Sequence, residues 1–115
     1  MYRFKGNTIY LVRGDTLQAQ LNIKRNGETY IPIEGDVIRF ALKKNEFNYN
    51  KTQYVDKQPL IVKEIPIDTM ILNLNSEDTK DLDFGSYAYD IQITLTNGTV
   101  DTFIMDKLYL KPEVD

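Results

Sequence analysis

The stretch Asp83-Phe84-Gly85-Ser86-Tyr87-Ala88-Tyr89-Asp90-Ile91-Gln92-Ile93-Thr94-Leu95-Thr96 decides the fold. Tyr87, Tyr89, Ile91, Ile93 and Leu95 recur at every second position, while Ser86, Ala88, Asp90, Gln92, Thr94 and Thr96 take the intervening ones. Side chains of a strand alternate between faces, so this pattern describes a strand with one face buried. Its length and unbroken alternation predict a central strand, with neighbours on both sides.

What precedes that strand sharpens the reading. Asp83-Phe84-Gly85-Ser86-Tyr87 has the spacing of a tyrosine corner, in which a Tyr near the start of strand F of an immunoglobulin-like sandwich bonds back to the main chain of the preceding crossover. Two residues after such a Tyr an antibody domain carries Cys. Here the residue is Tyr89, and the chain has no cysteine at all, so the two layers must be held by packing alone.

The flanking sequence supplies partners for this strand. Upstream, Thr8–Val12 is β-prone and stops at Arg13-Gly14-Asp15; Thr16–Arg25 alternates, with Leu17, Ala19, Leu21 and Ile23 on one face. Asn26-Gly27 is a tight-hairpin signal, and Glu28–Ile31 returns until Pro32, which has no N–H for a ladder. Glu34-Gly35-Asp36 turns the chain into Val37–Leu42, where Ile38, Phe40 and Leu42 face inward. Leu60–Ile65 and Met70–Leu74 read as two more strands. Ser76–Leu82 reads as one helical turn with Ser76 as its cap, early acids and Leu82 as its anchor. Downstream, Asn97-Gly98 makes a second tight hairpin, and Thr99–Leu110 returns as the last strand, with an irregularity expected near Asp106-Lys107 where the alternation shifts. Between the strands, residues 45–58 follow no period and read as a long loop of Asn, Tyr and Phe, the residue mix that binding loops use. The expected architecture is an all-β, immunoglobulin-like antiparallel β-sandwich of seven to eight strands with one short helical turn, forming a single domain over residues 1–115.

Composition excludes several functions. The chain has 115 residues, 42% hydrophobic and 27% charged, with a formal net charge of -3 and neither His nor Cys. These absences remove disulfides, thiol nucleophiles, Cys/His zinc sites and any imidazole base. A mildly acidic chain has no electrostatic attraction to nucleic acid or an anionic bilayer. The first residues lack the apolar core of a signal peptide, and no stretch reaches the length of a membrane span, so cytoplasmic synthesis is expected. Arg13-Gly14-Asp15 matches an adhesion tripeptide, but a turn between strands accounts for it. Asp78, Asp81 and Asp83 lack the spacing of a calcium loop and suit a helix N-terminus. No catalytic, metal or cofactor site is expected.

Leu11–Thr16, Ile33–Phe40 and Gly85–Ile93 followed by Asn97-Gly98 resemble the immunoglobulin-like N-terminal domain of baseplate upper proteins in tailed phages and prophages of Gram-positive bacteria. The resemblance spans nearly the whole chain. It implies a virion structural protein of the tail or baseplate, made in the host cytoplasm, whose partners are other tail or baseplate proteins met through repeated contacts, with weak self-association or a ring as the assembly. The rival expectation is an accessory module binding host carbohydrate through the Tyr/Asn loop. Interface candidates are Tyr2 and Phe4, aromatic residues outside the core alternation, and Phe47, Tyr49 and Tyr54 in the long loop, since aromatic side chains anchor interfaces. Tyr87 is expected to be structural.

Overall fold

The computed structural model describes residues 2–44 and 59–112, and between them the strand backbone of residues 47–48 and 53–54. Among the described residues there are twelve strands and one helical turn: β1 (Tyr2–Lys5), β2 (Thr8–Val12), β3 (Leu17–Gln20), β4 (Ile23–Arg25), β5 (Glu28–Tyr30), β6 (Val37–Lys44), β7 (Phe47–Asn48), β8 (Gln53–Tyr54), β9 (Ile61–Ile65), β10 (Ile71–Leu74), α1 (Ser76–Thr79), β11 (Gly85–Thr94) and β12 (Val100–Lys111). The chain is all-β with sandwich-like packing. A six-stranded sheet in the order β1-β2-β12-β11-β6-β9 forms one layer, and the ladders β10-β3 and β4-β5 stand apart from it.

β11 lies between β12 and β6, as its alternation predicts. Tyr87, Tyr89, Ile91 and Ile93 are buried, and the residues between them are not. Across the ladder Ile91 meets Phe40, Ile93 meets Ile38 and Tyr89 meets Leu42, and Phe40 and Tyr89 rings lie 5.5 Å apart. From the short ladders Leu17, Ile23, Leu72 and Leu74, with Leu21 between β3 and β4, complete the core. Burial of these aliphatic side chains, each contributing about 1.5–3 kcal/mol, holds the layers together without a cross-link.

Several local expectations need correction. The run Thr16–Arg25 is two strands, β3 and β4, which pair with different partners, β10 and β5. Its apolar residues still face inward, because alternation reports a face and not a neighbour. The strands are more numerous than the expected seven to eight, and one pairing is parallel: β2 runs alongside β12, continued by Arg13 N–H to the Lys111 carbonyl at 2.8 Å. β1, which lacks a recognisable period at four residues, pairs with β2 through a turn at Gly6 and Asn7.

Turn chemistry is also revised. Asn26 (φ 54°) and Gly27 (φ 80°) are both left-handed, the form a two-residue hairpin requires. Asn97-Gly98 instead belongs to a three-residue loop, closed by Leu95 N–H to the Thr99 carbonyl, in which only Gly98 has positive φ. Met70 is not the first residue of a strand: at φ 57° it closes the preceding turn, and β10 starts at Ile71. The helical turn is capped by Asn75, not Ser76; the Asp78 carboxylate accepts from the Asn75 N–H at 2.7 Å. The β12 irregularity falls at Phe103, opposite Ile91/Gln92, and Asp106 and Lys107 remain in register with Tyr89 and Ala88. Within residues 45–58, expected to be loop throughout, β7 and β8 form a ladder pairing Phe47 with Tyr54 and Asn48 with Gln53. Tyr49 lies outside the described residues, as do the side chains of Phe47 and Tyr54.

Candidate interaction site

Tyr2 and Phe4 come together on β1, at one edge of the large sheet. They pair with Leu11 and Ile9, whose side chains are buried, so the two rings take the inward face of the sheet. Yet they remain 37% and 42% exposed, because β1 lies at the margin of the sheet, where the facing layer gives out. The rings meet edge to face at 5.7 Å, and the Tyr2 hydroxyl donates to the Gln18 carbonyl on β3 at 2.7 Å. One edge strand thus reaches across to the other.

Between those edges runs a slot of about 480 Å³. Its apolar walls come from both layers, Ile9, Ile91 and Ile104 from the large sheet and Ala19 and Leu72 from the short ladder. Asn7 and Tyr89 also line it, and there the Tyr89 hydroxyl donates to the Asn7 carbonyl. Close by, Thr8 Oγ1 donates to Asp106 Oδ1 at 2.7 Å; Asp106 faces inward because it stands opposite Tyr89. Burial, and secondarily the Asp106 charge, push the Tyr89 hydroxyl far above the ordinary tyrosine range, so it stays a donor.

A second feature occupies the opposite face of the same strands. Tyr10 and Tyr109 alternate with buried Ile9/Leu11 and Leu108/Leu110, so they point outward and stack at 5.2 Å. The Arg3 guanidinium lies 4.8 Å from the Tyr10 centroid and the Lys111 ammonium 5.2 Å. Sequence reasoning passed over this strip; two tyrosines at polar-face positions of strands were the available signal.

Other singled-out residues serve the fold. Tyr87 is buried and its hydroxyl donates to the Asp83 carbonyl at 2.6 Å, four residues upstream. Burial, then the Asp83 charge, raise its pKa. Arg13 donates to the Leu82 carbonyl at 3.2 Å and lies 4.0 Å from the Phe84 ring centroid, while the Gly14 N–H donates to Thr79 Oγ1 at 2.9 Å. The Arg-Gly-Asp tripeptide is therefore engaged with the crossover. Asp78 pairs with Lys63 at 3.1 Å besides bonding the Asn75 N–H. Buried Asp36 accepts from the Tyr30 hydroxyl at 2.6 Å and the Ile33 N–H at 3.0 Å, which hold its carboxyl below the usual range and tie the turn before β6. Among the described residues no three metal-ligating side chains cluster, and no helix is long and apolar enough to cross a membrane.

Compared with protein-family models, curated proteins and solved structures, the chain matches none.

Proposed function

We propose that this chain is a non-enzymatic assembly module, a phage tail or baseplate component that joins other tail proteins through protein–protein contacts. The observation that carries the reading is the aromatic edge: Tyr2 and Phe4, half-exposed on an edge strand, rim an apolar slot between the two layers. Aromatic side chains beside a desolvated pocket are the residues on which interfaces concentrate their binding energy. The strand order β12-β11-β6-β9 matches strands G, F, C and C′ of an immunoglobulin variable domain, which favours the immunoglobulin-like assignment on which the phage resemblance rests. The Arg3–Tyr10–Tyr109–Lys111 strip is a second contact surface on the other face, and a module with two different surfaces joins its neighbours head to tail, the arrangement that closes into rings.

The test is the composition of purified tail particles from a phage or induced prophage encoding this chain. The account expects the chain at stoichiometric abundance, with density assignable to it at the tail tip. Its absence from particles that carry all other tail proteins overturns the proposal.

A further inference from the structure

Along the slot runs an edge of β3 that, among the described residues, has no strand beside it. Among the described residues β3 has one strand neighbour, β10. In an antiparallel ladder the N–H and C=O of one residue point to the same side, and alternate residues point to opposite sides. Leu21 N–H donates to the Met70 carbonyl, towards β10, so Leu17 and Ala19 direct their main chain the same way. Gln18 and Gln20 direct theirs to the other side, into the slot. The Tyr2 hydroxyl, which reaches the Gln18 carbonyl at 2.7 Å, marks that acceptor as accessible from there.

The side chains of these residues choose between ligand classes. A sugar site would need the Gln amides turned towards the aromatic rings. Gln18 and Gln20 alternate with buried Leu17 and part-buried Ala19, so their side chains stand on the outward face of the ladder, and Gln20 Nε2 donates to the Thr69 carbonyl at 3.2 Å. What the slot offers is the main-chain donors and acceptors of Gln18 and Gln20 at strand spacing, about 7 Å apart, above an apolar floor. The complement of that surface is another strand, and pairing to an exposed sheet edge with alternate side chains in pockets is an established mode of peptide recognition.

We propose that the slot receives an extended segment of a partner protein, which pairs along the free edge of β3 and seats an apolar side chain between Phe4, Leu72, Ile91 and Ile104. This rests on the assembly reading above and specifies its contact: a strand donated by the partner, with an aliphatic residue at the position that faces in.

A library of random short peptides displayed on a carrier and selected on the purified chain tests it without reference to particles. The expected peptides alternate apolar and polar residues, and titration of one into isotope-labelled chain slows amide exchange at Gln18 and Gln20. Methylating those peptide nitrogens that face β3 weakens binding about tenfold for each bond lost, and Phe4→Ala weakens it while leaving the circular dichroism unchanged. No enrichment, binding indifferent to methylation at every position, or shifts confined to other surfaces overturns the proposal. Protection of Gln18 and Gln20 in the concentrated chain alone, with a dimer in sedimentation, also overturns it, since the occupant is then a second copy. Absence of the chain from tail particles sinks the assembly reading but leaves peptide capture by the slot as a result of its own; presence in particles without peptide capture does the reverse.

Discussion

Replacing Tyr87 by Phe removes one oxygen from the centre of the fold and keeps the ring that packs in the core. The hydroxyl donates to the Asp83 carbonyl at 2.6 Å, a bond that fixes the crossover from α1 to the first residues of β11. An intramolecular hydrogen bond contributes about 0.5–1.5 kcal/mol net, and more when the abandoned partner is kept from water. Arg13 and Gly14 brace the same crossover at Leu82 and Thr79, so the segment keeps its path, and Asp83 is exposed, so water can replace the lost donor. The expected loss is therefore about 0.5–1.5 kcal/mol, the net worth of one hydrogen bond. In urea the midpoint should fall with the slope unchanged, since the surface exposed on unfolding is the same, and the melting temperature should drop by about 2–8 °C. Equal midpoints for the two proteins would refute the bracing role of Tyr87.

Gly35→Ala should cost about 1–3 kcal/mol, because φ there is 98° and an added Cβ would stand 2.7 Å from Thr96 Cγ2; a melt identical to the parent's contradicts it. Tyr87 and Tyr89 have raised folded-state pKa values, so the unfolded chain releases their protons first: their contribution is fully present below about pH 10 and declines as the pH rises towards the folded values. Urea midpoints from pH 9 to 11, about the range of free tyrosine, should show a decline that Tyr89→Phe reduces. Asp36 has the opposite sign, a lowered pKa, so its contribution is present above about pH 4 and lost as the pH falls further; Asp36→Asn should flatten the profile below that point. Replacing residues 45–58 with a short Gly/Ser connection should leave the melt nearly intact, since among the described residues β7 and β8 pair only with each other and loop closure changes by about 0.6 kcal/mol per doubling of length.

What could be read from sequence followed the range of the interactions involved. β11, β6 and the Asn26-Gly27 hairpin were legible because alternation and left-handed turn residues act within a few positions: Ile38, Phe40 and Leu42 face the core as their spacing requires. The parallel pairing of β2 with β12 was not, since a strand's pattern is the same whichever neighbour it has. The bulge at Phe103 restores inward positions for Leu108 and Leu110 after a slip that alternation alone places only to within a few residues. Tyr2 and Phe4 stood out as aromatic residues beyond the core pattern, but the slot they rim depends on the break between β3 and β4, and that break follows from different partners, β10 and β5. Asn75 took the cap because Asp78, three residues on, is placed to return a bond to its N–H.

The claim that this chain acts as an assembly module through its aromatic edge is tested most directly by incorporation of Tyr2→Ala/Phe4→Ala into tail particles, in competition with the parent chain and measured by quantitative mass spectrometry of the purified particles. Both residues lie at the margin of the core, so the circular dichroism should be unchanged. The account predicts that the double variant is displaced by the parent chain, at least about tenfold, the loss expected when an interface gives up more than 1.4 kcal/mol. Equal incorporation of a folded double variant contradicts it.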